Sequence, residues 1–392
     1  MPSNRWGRHE RGRFPRGRAA IAGLATWGMG EAPGHTTMEI AAQAGLRAVA
    51  DAGMTIADVD ALFICLPDDI FAGLSFAEYL GIDPRFTDNN RTGGSSFMSH
   101  VITASLAIAA GHIETALIAY GSNQRSAGGK LSTPVTWNQW DAPYRALFPA
   151  SAYALAASRH FHEYGTTRTH LAEVAVAARQ WAQTNPEAFA KDPLTIEDCL
   201  ASRMITTPLA KSDFCLVTDG GGAIVLTATD RARDCPRAPV PVLGGAAATW
   251  YNSVAQSRDI TTTAAAESGP RAYRMAGLGP NDIDVVQIYD AFTINTLLFL
   301  EDLGFCAKGE GGDFVSGGAI APGGRLAVNT NGGGLSCGHP GMYGLFALIE
   351  AARQIRGDAA NALPNVATAL AHGNGGTLSS QATIVLGSID TV

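Results

Sequence analysis

Apolar and polar positions along the chain fall into a pattern that occurs twice. Residues 46–64 read LRAVADAGMTIADVDALFI, and residues 270–288 read PRAYRMAGLGPNDIDVVQI. The two align without a gap at an offset of 224 residues. Arg47 falls on Arg271, Ala52-Gly53 on Ala276-Gly277, Asp58 on Asp282, Asp60 on Asp284 and Ile64 on Ile288. In each copy, apolar residues at helical spacing stop at a glycine. A short polar turn follows, then an apolar run too short for a helix. The spacing predicts helix, glycine stop, turn and buried strand. The repeat continues downstream. An apolar helix ends at Gly111 before the strand ALIAYG (116–121), and a helix from Tyr343 ends at Gly357 before VATALAHG (366–373). Each copy closes on a similar strand, AIVLTATD (223–230) and ATIVLGSID (382–390).

A period this long excludes a solenoid. It implies two copies of one α/β domain, with short apolar strands in mixed sheets covered by helices. The first copy alone carries an insertion, residues 122–218. It holds an aromatic-rich loop (Trp137, Trp140, Tyr144) and a helix ending in HFHEYG (160–165). Insertions of this length on a scaffold usually cover a site. The expected organisation is a basic disordered tail over 1–18, a first half over 19–235 and a second half over 236–392.

Composition removes several function classes. A net charge of −7 argues against general nucleic-acid binding. No window holds eighteen unbroken apolar residues, so no membrane span is expected. The six cysteines are scattered and none forms C-x-x-C. That spacing fits free thiols in a reducing, cytoplasmic setting better than a disulfide framework or a zinc site. The N-terminal MPSNRWGRHERGRFPRGR has no apolar stretch of the secretory kind. His160 and His162 stand two apart, on different helix faces, which makes a metal pair improbable.

Three stretches carry candidate chemistry: NNRTGGSSFM (89–98), YDAFTINTLLFLEDLGFC (289–306) and NTNGGGLSCGHPGMYG (329–344). With the duplication and the inserted HEYGTT, they resemble the thiolase family over nearly the whole chain, from about Ala19 to Gly387. The second stretch is similar to the H-D-x-F or N-E-A-F segment of thiolases, and the third to their N-x-x-G-G-x-x-x-x-G-H-P segment. The resemblance implies the thiolase fold: two duplicated mixed-sheet α/β halves in layers, with a loop-domain insertion in the first.

The resemblance also shows what has changed. Thiolases place a nucleophilic cysteine at the N-terminus of a buried helix, where the helix dipole favours the thiolate. Counting back from Gly111 puts that position at Gly94. Ser95 and Ser96 beside it read as helix caps. Tyr289 stands where a histidine or asparagine opens the family segment. AHGNGG (371–376) replaces a late acid–base cysteine. His339 of GHP is kept, and Tyr343 follows four residues later. If GHP opened a helix, the two would share a face. Asp290 reads as the cap of the helix that follows it.

With both thiols gone, Tyr289, Tyr343 and His339 are the candidate catalytic residues. His372, Gly94 and Gly375 are candidates for oxyanion or supporting roles. The set suits proton transfer and oxyanion stabilisation. It resembles a thiolase-like subfamily that cleaves steroid and related side chains by retro-aldol reaction of a β-hydroxyacyl-CoA, the group historically called lipid-transfer proteins. The tyrosines would be base and acid, in an order the sequence leaves open, and His339 would donate to the enolate oxygen. Coenzyme A enters as part of the substrate, with no bound cofactor and no metal. Two other readings stand beside this one: an acyltransferase using Cys337 or Ser95, and a non-catalytic acyl-CoA or lipid binder. The family implies a homodimer core and a small OB-fold, zinc-ribbon partner in a heterotetramer.

Overall fold

The computed structural model describes residues 14–127, 142–145 and 148–392. Most of the expected tail, and Trp137 and Trp140 of the expected aromatic loop, lie outside them. The strands are β1 (Ala19–Gly30), β2 (Ala61–Cys65), β3 (Phe86–Asp88), β4 (Thr115–Ser122), β5 (Met204–Thr206), β6 (Leu209–Ala210), β7 (Asp219–Ala228), β8 (Val240–Thr249), β9 (Val285–Ile288), β10 (Ala327–Val328), β11 (Thr368–Gly375) and β12 (Ser380–Gly387). The helices are α1 (Thr37–Asp51), α2 (Ala72–Leu80), α3 (Ser95–Ala109), α4 (Ala150–Tyr164), α5 (Arg168–Gln183), α6 (Ile196–Ala201), α7 (Thr229–Ala232), α8 (Ala265–Ala276), α9 (Thr293–Asp302), α10 (Gly311–Val315) and α11 (Gly344–Arg356).

The repeated pattern becomes repeated topology. The first five-strand set runs β1-β7-β4-β2-β3 and the second β8-β12-β11-β9-β10, the same order of equivalent strands. In each, the strand after the helix–glycine–turn unit pairs in parallel on both sides (β2 with β3 and β4, β9 with β10 and β11), and the remaining pairs are antiparallel. The two sets join at one short antiparallel contact, Ala20 with Pro241 and Ile21 with Val240. The result is one ten-stranded mixed sheet that folds over on itself.

Local chemistry accounts for the elements. Thr36 and Glu39 form a reciprocal cap at the start of α1: the Glu39 amide donates to Thr36 Oγ1 at 3.1 Å and the Thr36 amide to Glu39 Oε2 at 2.8 Å. α8 and α11 stop at Gly277 and Gly357, both left-handed (φ +69° and +74°). A close helix–strand approach also repeats. A Cβ on Gly23 would strike Ala48 O of α1 and Ala52, which caps it, and one on Gly244 would strike Ala272 O and Ala276 of α8. Only glycine lets these helices lie so near their strands.

α3 and α11 occupy the middle layer and touch strands of both halves. Phe97, Met98, Val101 and Ala104 of α3 and Leu345, Phe346, Leu348 and Ile349 of α11 are buried there. Each large side chain of this kind contributes about 1.5–3 kcal/mol on burial. Both helices begin at the site described below, so packing of the central layer fixes where their N-termini sit. The described part of the insertion, with α4, α5, α6, β5 and β6, lies against α9, α10 and the 333–337 turn.

One expectation is corrected at the tail. Phe14 is buried, Gly17 N donates to Val242 O at 2.9 Å, and Arg16 Nε donates to Ala276 O at 2.8 Å. With Gly17 O and Arg18 O accepting from Thr229 Oγ1 and its amide at 2.6 and 3.0 Å, residues 14–18 are packed against both halves.

Candidate active site

Three chain segments converge where α3 and α11 begin. Tyr289 follows β9 directly, and its amide donates to His372 O on β11 at 3.1 Å. His339 lies in the irregular GHPGMY segment between a π-helical turn (Gly333–Cys337) and α11. Tyr343 is the residue immediately before α11. GHP therefore does not open a helix, and His339 and Tyr343 do not share a helical face. The loop brings their rings together instead, stacked at 6.5 Å between centroids and 17° between planes. The Tyr289 ring stands edge-on to both, 5.5 Å from His339 and 5.9 Å from Tyr343.

The hydroxyl partners differ. Tyr289 Oη lies 2.8 Å from His339 Nε2 and 3.1 Å from Gly341 O. Tyr343 Oη donates to Asn331 Oδ1 at 2.9 Å. Residues of the first half clamp the GHP backbone. Thr218 Oγ1 accepts from the His339 amide at 2.9 Å, Gln124 Nε2 donates to His339 O at 2.6 Å, and Tyr120 Oη donates to Pro340 O at 2.5 Å. His339 Nδ1 is buried and has no partner among the described residues.

Burial governs the electrostatics. It holds the His339 imidazole down to about 4, so the ring is neutral near pH 7. It pushes both phenols well above their ordinary value, with Cys215 adding to the effect at Tyr289 and Asp290 at Tyr343. Asp290 is raised to about 7 by burial, against the opposing pull of the Gly334 amide.

Gly94 sits at the start of α3 with ordinary helical angles (φ −62°, ψ −24°). A Cβ built on it would land in the Tyr289 ring, against Cε2 and Cδ2, and 2.9 Å from Asn374 O. The tyrosine ring fills the space where a side chain at 94 would stand. The neighbouring hydroxyls have other partners. Ser95 Oγ contacts Ser380 Oγ and Thr92 Oγ1, both at 3.0 Å, and Ser96 Oγ accepts from the Thr92 amide at 2.8 Å. Neither serine is the helix cap, which is Gly94 itself, and neither has a base in reach among the described residues. Cys337 is buried, which pushes its thiol far from ionisation, and its sulfur accepts from Asn185 Nδ2 at 3.6 Å.

Other expected residues sit differently. His372 lies outside the cluster. Its Nδ1 bonds Thr383 Oγ1 and its Nε2 bonds Gln381 Oε1, both at 2.9 Å, so neither nitrogen is free for a substrate oxygen. Gly375 abuts Gly93, whose added Cβ would come 2.7 Å from its Cα. Asp290 does not cap α9, which Phe292 precedes. Its carboxylate accepts from the Gly334 amide at 2.6 Å and the Leu335 amide at 3.4 Å, holding the π-helical turn. His160 bonds Thr166 Oγ1 and the buried Glu301. Asn331, Gln124 and Thr218 escaped the sequence reading. A polar side chain within the NTNGGG tract was the available signal for Asn331, and no local signal marks the other two.

The arrangement defines a duplicated α/β protein whose buried site offers two phenols and an imidazole, with no thiol at the helix start. A family model for a thiolase C-terminal domain-like region matches residues 246–388. Over 362 residues the chain is 35% identical to a steroid side-chain-cleaving aldolase of Thermomonospora curvata, spanning 88% of this chain and 92% of that relative. It is 33% identical over 376 residues to an acetyl-CoA acetyltransferase of Methanothermobacter thermautotrophicus, spanning 91% and 96%. The solved Ltp2-ChsH2(DUF35) aldolase superposes with a TM-score of 0.87 at 34% identity, over 95% of this chain and 98% of that one. The chain belongs to the thiolase superfamily.

Proposed function

We propose that this protein is a carbon–carbon lyase that cleaves a β-hydroxyacyl-CoA by retro-aldol reaction, giving a ketone or aldehyde and a shorter acyl-CoA. The observation that carries the reading is the Tyr289 ring in the space of the side chain at 94. A nucleophile cannot stand at the helix start while that ring is present, which separates this chain from acyl transfer through a cysteine there. The aldolase relatives support the same reading.

Retro-aldol cleavage needs a base for the β-hydroxyl proton, donors for the thioester oxygen as the enolate forms, and an acid for the enolate carbon. Tyr289 and Tyr343 serve as base and acid. His339 completes a triangle of rings with them, and its unpartnered Nδ1 is available to the enolate oxygen. No covalent enzyme intermediate is formed, and coenzyme A is held only as part of the substrate. A bulky steroid or aryl acyl group is the substrate class, by kinship with the side-chain-cleaving aldolase.

A DUF35-type partner with an OB fold and zinc ribbon assembles with the chain, by analogy with the aldolase complex. A second copy of the chain covers the edge strand β3, which is three residues long and lies near the exposed Ile70, Phe71 and Leu74. A cytoplasmic location suits six free thiols. Among the described residues no helix is long and apolar enough to cross a membrane.

The test is incubation of the chain and a DUF35 partner with a ring-bearing β-hydroxyacyl-CoA, without free coenzyme A. Mass spectrometry should find the ketone or aldehyde and the shortened acyl-CoA. No cleavage across a substrate panel, together with an acyl adduct on Cys337 or Ser95 from a β-ketoacyl-CoA, would restore the acyltransferase reading.

A further inference from the structure

We propose that Asp219 is a positioning residue for His339: it closes the neck of the inserted segment and thereby fixes Gln124 and Thr218, the two residues that seat the main chain of the histidine. This rests on the retro-aldol reading above and adds what holds His339 in place.

The insertion leaves the first half after β4 and returns at β7, antiparallel neighbours whose pairing runs to Ser122 and Gly220. Asp219 is the first residue of β7 and is fully buried. Its carboxylate reaches across the neck. Oδ1 accepts from the Arg125 amide at 2.8 Å and the Ser126 amide at 3.0 Å. Oδ2 accepts from the Ala32 amide at 2.8 Å and from the Ser126 hydroxyl. Three amides and a hydroxyl thus share one carboxylate, and each would lose this acceptor without it.

Gln124 directly precedes the two residues so held, and Thr218 directly precedes Asp219. These are the residues that hold His339. Gln124 Nε2 donates to His339 O at 2.6 Å, Thr218 Oγ1 accepts from the His339 amide at 2.9 Å, and the Thr218 amide donates to His339 O at 3.4 Å. His339 lies outside helix and strand, so no ladder fixes its backbone. Both of its main-chain groups are satisfied from the neck instead, and one carboxylate sets both arms of the clamp. A neck that opened would carry Gln124 away from Thr218. The His339 ring would then lose its stack on Tyr343 and its 2.8 Å contact with Tyr289 Oη. Asp219 acts through this clamp and not on the substrate.

Asp219→Asn keeps the shape, but its one oxygen serves only one side of the neck, and its NH2 faces N–H groups on the other. It is compared with Gln124→Leu, with the double variant, and with Glu301→Gln, which removes a buried carboxylate elsewhere. Hydrogen exchange of residues 338–343 is read by mass spectrometry. Cleavage of a ring-bearing β-hydroxyacyl-CoA by the chain and a DUF35 partner is read by steady-state kinetics. Asp219→Asn and Gln124→Leu should each speed exchange and lower kcat, by about tenfold for one buried hydrogen bond, with KM little changed. The double variant should lose less than the product of the two single losses, because both act through one clamp. Glu301→Gln should match the parent in both readouts. Asp219→Asn with the exchange and kcat of the parent overturns the proposal. So does a double variant whose loss equals the product, or a Glu301→Gln protein that loses as much as Asp219→Asn. Should Asp219→Asn not fold, Ser126→Ala, which removes one donor to the carboxylate, is judged by the same outcomes. A parent that cleaves nothing across a substrate panel overturns the retro-aldol reading, and exchange alone then decides whether Asp219 holds His339.

Discussion

Gly94→Ala tests the central observation, because two physical effects predict opposite signs. Gly94 has helical angles, φ −62° and ψ −24°, at the first turn of α3. On backbone grounds alone, alanine at such a position stabilises by about 0.4–1 kcal/mol, through the smaller entropy of the unfolded chain. The tertiary structure opposes this. The new methyl would overlap Cε2 and Cδ2 of the Tyr289 ring and press on Asn374 O at 2.9 Å. Overpacking of a buried site costs about 1–3 kcal/mol, so the net runs from about zero to about 2.6 kcal/mol of destabilisation, and the depth of the overlap with Cε2 puts the expectation in the upper half of that range. Relief requires the ring to swing away, which breaks the 2.8 Å contact of Tyr289 Oη with His339 Nε2, so activity falls as well. Urea denaturation of four proteins measures the coupling: the parent, Gly94→Ala, Tyr289→Ala and the double variant. Room made by Tyr289→Ala should absorb most of the methyl, giving an interaction energy of about 1–2 kcal/mol for the pair. Rescue stays incomplete, since Asn374 O remains in place. A Gly94→Ala protein as stable and as active as the parent would refute the reasoning, because the ring would then not fill that space.

Three further outcomes follow from the same contacts. Tyr289→Phe, which removes only the hydroxyl, should lower kcat by about a hundredfold to ten-thousandfold with little change in acyl-CoA affinity, read by steady-state kinetics and calorimetry. Asp290 has a folded pKa of about 7 against an ordinary 3.8, so the folded state holds its proton longer than the unfolded one does. Its contribution to stability is full below about pH 4 and is lost as pH rises through 7, and the parent's stability relative to Asp290→Asn should fall across that window in urea melts at graded pH. Glu301→Gln should destabilise by about 1–2 kcal/mol in the same assay, because it weakens the charge-assisted bonds of the carboxylate with His160 Nε2 at 3.0 Å and the Gly311 amide at 2.8 Å, while Lys308 keeps its pairing with Asp302.

The duplication was legible because each copy is written in local terms. Helical spacing, a glycine at the stop, an acidic turn and a short apolar run recur at one offset, and each signal acts over a few residues. Tyr289, His339 and Tyr343 were legible as types, since they stand inside segments whose resemblance marks a site. Where they reside relative to one another was not. The helical spacing of 339 and 343 suggested a shared face, yet α11 starts at Gly344 and an irregular loop stacks the rings. Asp290 read as a cap because a carboxylate before a helix usually is one. It turns instead to amides 44 and 45 residues away in the chain.

The order of residues along the chain settled the two-fold repeat, the position of the insertion and the chemical types available to the site. Folding settled the rest: the joining of the two strand sets at β1 and β8, the Tyr289 ring in the space above Gly94, the unpartnered Nδ1 of His339 and the orientation of the Asn331 amide. Helices and turns draw on neighbours a few residues apart, so their pattern is readable one window at a time. The site is made of contacts between residues that are distant in sequence, held by packing of α3 against α11, and no local period records which ring fills which space.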